Sequence, residues 1–454
     1  MKTFLNILML LIPFIDFIYD IHFKNYPDLR FVYFIYLVYF LTYIKNFITI
    51  SFFKEVYTEF RLLLLAIIGI VILSLYNIYV GNTTPVLFLK QFIVVSFISF
   101  TSFMFIYNNR NNLNYIMDLY LKISFIFACI SIFQEIFYVI NFEYLYDFSY
   151  LMLRSQQIGG YGFFIRAPSF CLEPPMFAFA LIFAAFISLH SLITGYYKYL
   201  SKTKSLIIIT AMLCTYSTIG YVSLFLSIIF IVLYNFKNVK LKNLTIILFL
   251  TFFIFSLGGN TIVSKIKDVI TLQQNDISKY TFDKVSRDEK KRRKINIQKD
   301  ENNVNISSYL LMAHFKRTID DFCENPIIGK GLGSYTYTKN SIKLKKYVFA
   351  KFPDWIPFRL DGSTSLIFKI TVEFGFIGII MLFVILYKYY IFDFKYMNKF
   401  NNFIVINNAM LIYIIFILIR MPFYFTNGLW IFVWLYVFSK QQFLHFTREI
   451  NVTE

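Results

Sequence analysis

For most of its length the chain alternates between apolar runs and short polar breaks. A helix needs about 20 apolar residues to cross the hydrocarbon of a bilayer. Runs at 4–19, 31–53, 62–80, 87–107, 115–140, 170–194, 206–218, 221–236, 244–259, 364–387, 403–420 and 428–438 reach or approach that length. The pattern predicts an all-α, polytopic integral membrane protein with about 12 transmembrane helices. One stretch resists simple counting. Between Lys204 and Lys237 lie roughly 30 apolar residues, too many for one crossing and few for two. Both flanks are basic, which requires an even number of crossings. Two short helices meeting near Tyr216-Ser217-Thr218-Ile219-Gly220 are therefore expected. Short helices in mid-bundle line cavities or leave the membrane locally thin.

One polar interruption divides the pattern. Residues 1–259 form an N-terminal bundle of about nine spans, 260–363 a long loop, and 364–454 the last spans and a short tail. The loop contains the block Ser286-Arg287-Asp288-Glu289-Lys290-Lys291-Arg292-Arg293-Lys294. It then becomes orderly again, with a short amphipathic stretch opening at His314-Phe315-Lys316-Arg317 and ending in Glu324-Asn325-Pro326-Ile327-Ile328-Gly329-Lys330-Gly331-Leu332-Gly333-Ser334-Tyr335. No inverted or parallel internal repeat is visible.

Short loops place their basic residues on one side. Lys45, Lys54 and Arg61 mark the second loop, Arg110 the fourth, and Lys198, Lys202 and Lys204 the sixth. Lys237, Lys240 and Lys242 mark the eighth, and Lys388, Lys395 and Lys399 the tenth. All are even-numbered, so the positive-inside bias puts both termini in the cytoplasm. The long loop and the fifth loop, 141–168, then face outward. The loop's own basic block is no objection, because long loops translocate largely regardless of charge.

Composition agrees. The 454 residues are 58% hydrophobic, 21% aromatic and 15% charged, which excludes an ordinary soluble domain. A net charge of +18 on a soluble chain would suggest nucleic acid. Here its source is the basic residues collected in loops, and no nucleic-acid partner is expected. Cys129, Cys171, Cys214 and Cys323 show no metal-ligand spacing, so neither a zinc site nor a disulfide framework is expected. The first apolar run lacks a small-residue cleavage site after it and reads as a retained helix.

Candidate chemistry gathers at three places. The fifth loop closes with Arg166-Ala167-Pro168-Ser169-Phe170-Cys171-Leu172-Glu173-Pro174-Pro175. The paired prolines suit the first turn of a helix, which leaves Glu173 at its N-terminus, where the helix dipole favours a carboxylate. That placement fits a helix cap. It equally fits an arginine and a carboxylate on the outer aqueous surface, with Arg154 near in sequence. A guanidinium fork suits a diphosphate, and a carboxylate suits a general base. In the long loop, the three glycines at alternate positions from Gly329 to Gly333 are no dinucleotide fingerprint, since no strand precedes them. They read as a helix stop followed by turns. Arg317 on the preceding stretch is a candidate for the same cavity, and Arg359, farther along the loop, a candidate for holding substrate. The helix after the loop carries Lys369 and Glu373, four apart and able to pair on one face, then Gly375 and Gly378, which suggest close helix packing. Asp16, Gln134, Glu135 and Arg420 are further polar groups within apolar runs, each a functional candidate by its cost in the membrane.

Taken in order, Arg166…Glu173-Pro174, the loop ending in Glu324-Asn325-Pro326-Ile327-Ile328-Gly329-Lys330-Gly331, and Glu373-Phe374-Gly375-Phe376-Ile377-Gly378 resemble the O-antigen polymerase and ligase superfamily. The resemblance implies a bacterial inner-membrane glycosyltransferase that acts outside the cytoplasm on sugar chains carried by undecaprenyl diphosphate. It implies neither metal nor nucleotide sugar, and hence no cofactor. Arg166, with Arg154 and Arg317, would hold the lipid diphosphate. Glu173 would belong to the acceptor side, and Arg359 and Glu373 would contact substrate. Ligases of the superfamily carry a histidine, thought to be the catalytic base, in the segment entering the helix after the loop. The matching position here is Thr364, and no histidine occurs between Phe315 and Gln442. A polysaccharide polymerase for O-antigen, capsule or exopolysaccharide is therefore expected, working with membrane lipid and alongside a chain-length-regulating co-polymerase and a flippase. A ligase and a lipid-linked oligosaccharide flippase are the alternatives.

Overall fold

The computed structural model describes residues 1–15, 20–21, 29–152, 164–235, 306–340, 364–392, 402–421, 423–426 and 428–453, with a few isolated positions between them. Its helices are α1 (Lys2–Ile15), α2 (Phe31–Tyr43), α3 (Ile50–Tyr79), α4 (Pro85–Asn108), α5 (Leu113–Val139), the single turn α6 (Glu143–Tyr146), α7 (Pro174–Thr194), α8 (Lys202–Cys214), α9 (Thr218–Asn235), α10 (Ile306–Glu324), α11 (Leu366–Tyr389), α12 (Asn402–Arg420) and α13 (Leu429–Thr453). Strands among the described residues are two-residue ladders, such as Gly160–Tyr161 against Phe164–Ile165. Among the described residues, six helices are long and apolar enough to cross a membrane, and shorter apolar helices accompany them. The all-α polytopic class predicted by the apolar pattern is the observed one. The span expected at 244–259 lies outside the described residues, as does most of the long loop before α10.

Local sequence fixes the helix ends. Thr84 caps α4 by accepting from Leu87 N–H, with Pro85 in the first turn. Ser201 does the same for α8 through Lys204 N–H. Gly195 closes α7 in the left-handed conformation at φ 74°. The stretch expected to hold two short helices does so: α8 ends at Cys214, α9 starts at Thr218, and Tyr216 between them takes φ 43°. Two expectations change. The run at 31–53 is no single span, because α2 ends at Tyr43 and a 3-10 turn, Ile44–Phe47, follows. Lys45 and Asn46 interrupt the apolar run there, and the next helix starts at Ile50. At the other end α13 does not stop at 438 but continues to Thr453. Lys440, Gln441, Gln442 and Arg448 are good helix formers, and nothing in that stretch breaks the backbone.

The bundle is built around α7, which is buried along nearly its whole length and packs against α1, α5, α8, α9 and α12. Ala178, Ala180, Ala184 and Ala185 let neighbouring backbones approach it. Aromatic rings fill the wider gaps: Tyr120 lies between Phe14 and Phe432, and Phe432 meets Tyr413 with ring centres 4.1 Å apart. One polar group inside the bundle links three helices. The Asn407 amide donates to Tyr389 O, Tyr436 O and Ser439 Oγ and accepts from Ile391 N–H, tying α11, α12 and α13 together.

Candidate functional site

Two polar clusters stand out. The first forms where α11 breaks. Gly375 takes φ 59°, ψ −148°, a conformation only glycine adopts without strain. In an unbroken helix Phe376 N–H would bond Val372 C=O, and Ile377 N–H would bond Glu373 C=O. The break frees all four groups, and the segment after α10 satisfies each. Lys330 N–H donates to Val372 O (2.9 Å) and Gly331 N–H to Glu373 O (2.8 Å). Phe376 N–H donates to Pro326 O (2.8 Å) and Ile377 N–H to Ile327 O (3.1 Å). An irregular backbone within an apolar helix is tolerated when protein groups complete it, as here. The fit admits no side chain at Gly329, where a Cβ would stand 2.5 Å from the Glu373 carbonyl carbon. Gly375, expected to mark helix-on-helix packing, therefore belongs to a loop-on-helix clasp, whereas a Cβ at Gly378 would meet Phe374 and Ile370 of its own helix. The glycines at 329, 331 and 333 all take positive φ, as the expected turns require.

Side chains reinforce the clasp. Glu373 is fully buried and accepts from Gly333 N–H (3.0 Å), Tyr424 OH (2.7 Å) and Tyr335 N–H. Lys369 does not close the expected ion pair with it; its ammonium lies 4.6 Å from the centre of the Tyr424 ring. Beside the buried Leu310, Met312 and Ala313, α10 buries a polar row, His314, Arg317, Thr318 and Asp321, at helical spacing. Arg317 donates to Tyr335 O, stacks 3.9 Å from the Tyr335 ring centre and lies 3.5 Å from Asp321. Asp321 also receives Lys330 Nζ, Thr338 Oγ1 and Asn340 Nδ2. Lys330 reaches Glu324 as well, at 2.6 Å, and holds that carboxyl below the usual carboxylate range. Arg317, 3% exposed, holds the loop through Nη2 and the stacked Tyr335 ring, while its Nε and Nη1 make no hydrogen bond; Tyr335 links it to Glu373.

The second cluster lies where the fifth loop meets α5, α7 and α8. Gln134 and Glu135, which had no nameable partners in the sequence, are its anchors. Gln134 accepts from Ser169 N–H (2.7 Å) and donates to Tyr146 O and Ser169 O. Ser169 sits at φ 53°, and its hydroxyl bonds Phe127 O, so the strained turn is held from several sides. Gln156 spans the same turn, donating to Ser169 O and Cys171 O. Glu135 accepts Ile165 N–H at 3.1 Å, and Ala167 N–H bonds Cys214 O at 3.2 Å. The backbone is thereby fixed on both sides of Arg166, while the guanidinium stays uncommitted. It is half-buried, its Nε makes no hydrogen bond, and Glu173 and Tyr221 face it electrostatically. Burial lowers its pKa from the ordinary value, with the nearby Glu173 charge acting the other way. Glu173 stands at the N-cap of α7 but makes no capping hydrogen bond. The helix dipole still favours the carboxylate there, without a side-chain cap bond.

The structure thus brings Arg166 and Glu173 together in one cluster and Arg317 and Glu373 in the other. Arg154 and Arg359 lie outside the described residues. In the sequence Glu135 is one polar residue among several within apolar runs, and its adjacency to Gln134 in an apolar helix is the signal that marks it. Thr364 Oγ1 is buried without a hydrogen-bond partner, next to Ser365, whose hydroxyl donates to Leu418 O.

The family model described as O-antigen ligase matches residues 205–383, from α8 through the clasp into α11. Arg166, Glu173 and Glu135 precede the matched region. Neither a curated protein sequence nor a solved structure matches the chain.

Proposed function

On the premise of an O-antigen ligase domain across residues 205–383 of a multi-pass membrane protein, we propose that the chain is a polysaccharide polymerase of the bacterial inner membrane. It transfers a growing glycan from undecaprenyl diphosphate to a lipid-linked repeat unit. The observation that carries this reading is Arg166, an uncommitted, half-buried guanidinium on a backbone pinned at both neighbours. Such a group is preorganised for a diphosphate, because binding need not first break bonds that it makes within the protein. As the anomeric C–O bond breaks, charge grows on the departing diphosphate, and a fixed guanidinium stabilises that charge more than the ground state. Glu173 faces Arg166 and lines the acceptor side. The clasp supplies rigidity: Arg317, Lys330 and Glu373 fix the outer loop onto the broken helix.

Polymerase is favoured over ligase by Thr364. A hydroxyl is a poor general base near neutral pH, where a histidine would be poised, and no histidine occurs in the sequence between Phe315 and Gln442. Incubating the purified protein with lipid-linked repeat unit should yield a ladder of lengthened glycans. A change in the sidedness of the lipid alone would mean a flippase. In cells, deletion should leave single repeat units on their final carrier where a ligase is present. Long polymer stranded on undecaprenyl diphosphate would reverse the assignment to ligase.

A further inference from the structure

Glu135 is one of the buried carboxylates in the described bundle, and the cluster around Arg166 leaves half of it unused. Its residue exposure is 7%. Oε2 accepts Ile165 N–H at 3.1 Å, while Oε1 is buried and has no hydrogen-bond partner. No charged side chain among the described residues pairs with it; the nearby titratable group is the Cys214 thiol at the end of α8. Burying a carboxyl with one oxygen unsatisfied is costly. Anchoring a backbone N–H does not require that cost. The adjacent Gln134 performs the same service for Ser169 with a neutral amide, and a glutamine at 135 would serve Ile165 equally. What a carboxyl offers beyond an amide is a site that takes up and releases a proton.

We propose that Glu135 is the proton acceptor for the attacking sugar hydroxyl, presented through the same short segment, Ile165 and Arg166, that presents the diphosphate-binding guanidinium. This rests on the glycosyl-transfer reading above and names a residue for the step that it leaves open. In that step the acceptor oxygen bonds the anomeric carbon of the donor sugar. The bond from that carbon to the diphosphate breaks, and the diphosphate leaves with the electron pair beside Arg166. The hydroxyl proton passes to Oε1 of Glu135. Glu173, half-buried at the start of α7, remains on the binding side.

Glu135→Gln separates chemistry from anchoring, because its amide oxygen can still accept Ile165 N–H. Full-length purified wild type, Glu135→Gln and Glu135→Asp are compared for chain growth on lipid-linked repeat unit across pH. Thermal stabilisation by added undecaprenyl diphosphate is measured in parallel. We expect Glu135→Gln to slow elongation by about 10²-fold or more, a loss typical of a removed general base. It should flatten the acidic limb of the pH profile yet keep the stabilisation by lipid diphosphate. Glu135→Asp should recover part of the rate. Elongation by Glu135→Gln within about threefold of wild type would overturn the assignment, as would joint loss of elongation and lipid stabilisation with no recovery by aspartate. Wild type that binds the lipid diphosphate but never elongates would instead remove the polymerase reading, and Glu135 as its base with it.

Discussion

Two arginines that look equivalent in the sequence differ in what they already hold. Arg166 is uncommitted, whereas Arg317 donates to Tyr335 O, stacks on that ring and approaches Asp321. Replacement by lysine keeps the charge and removes the planar fork in both cases. Arg166→Lys should therefore cut elongation by on the order of 10²-fold, with normal protein level, because a transition-state contact is lost at an edge and not in packing. Normal elongation would make Arg166 an interfacial anchor only. Arg317→Lys should behave oppositely, lowering thermal stability by about 1–3 kcal/mol, as expected when a buried polar partner is left unsatisfied. Its measure is the melting of detergent-solubilised protein, and unchanged melting would mean that the stacked guanidinium contributes nothing to the clasp. The residue types at both positions were legible in the sequence. Their different commitments were not, because these depend on Tyr335 and Asp321 in one case and on Ile165 and Ala167 in the other, and backbone partners leave no signature in side-chain identity.

At the scale of elements, the clasp joins a loop motif to a helix break some forty residues away. Both pieces were visible: the alternating glycines suggested turns, and Gly375 suggested a special position. Their union was hidden, because the bonds from Lys330, Gly331, Phe376 and Ile377 are all backbone to backbone. The test exploits the missing space. Gly329→Ala places a Cβ 2.5 Å from Glu373 and Phe374 backbone atoms at φ +65°. The left-handed conformation alone costs about 1–2 kcal/mol, and the clash must add to it, since backbone cannot yield as a side-chain tip can. Gly81→Ala is the control, with a similar φ of +81° and nothing within 4 Å. Gly329→Ala should lower the melting temperature clearly more than Gly81→Ala; equal shifts would mean that the clasp opens without cost. Glu324 gives the clasp a pH dependence. Its carboxyl lies below the ordinary value in the folded protein, so its contribution is present above the unfolded pKa and is lost as pH falls through the folded one.

For the whole molecule, the apolar periodicity located the helices well and their ends less well, since a lysine within an apolar run, such as Lys45, leaves the average nearly unchanged. The span expected at 244–259 and the charge block of the long loop lie outside the described residues, so sidedness still rests on the loops. Five even-numbered loops carry the short-loop Lys and Arg, from which both termini are expected in the cytoplasm and the loop from 260 to 363 outside. The proposed chemistry depends on this orientation. The clasp segment belongs to that loop, and a lipid diphosphate must meet Arg166 on the same face as the incoming repeat unit. The two outer connections are separated by an even number of helices if 244–259 crosses. A single cysteine at Ser286, in a background with Cys129, Cys171, Cys214 and Cys323 replaced by alanine, reports the sidedness. The expected result is labelling of intact spheroplasts by a membrane-impermeant maleimide. Protection until lysis would turn the molecule over. Its basic short loops would then lie outside, against the positive-inside bias, and Arg166 would face the cytoplasm, where the reading of an extracytoplasmic polymerase fails.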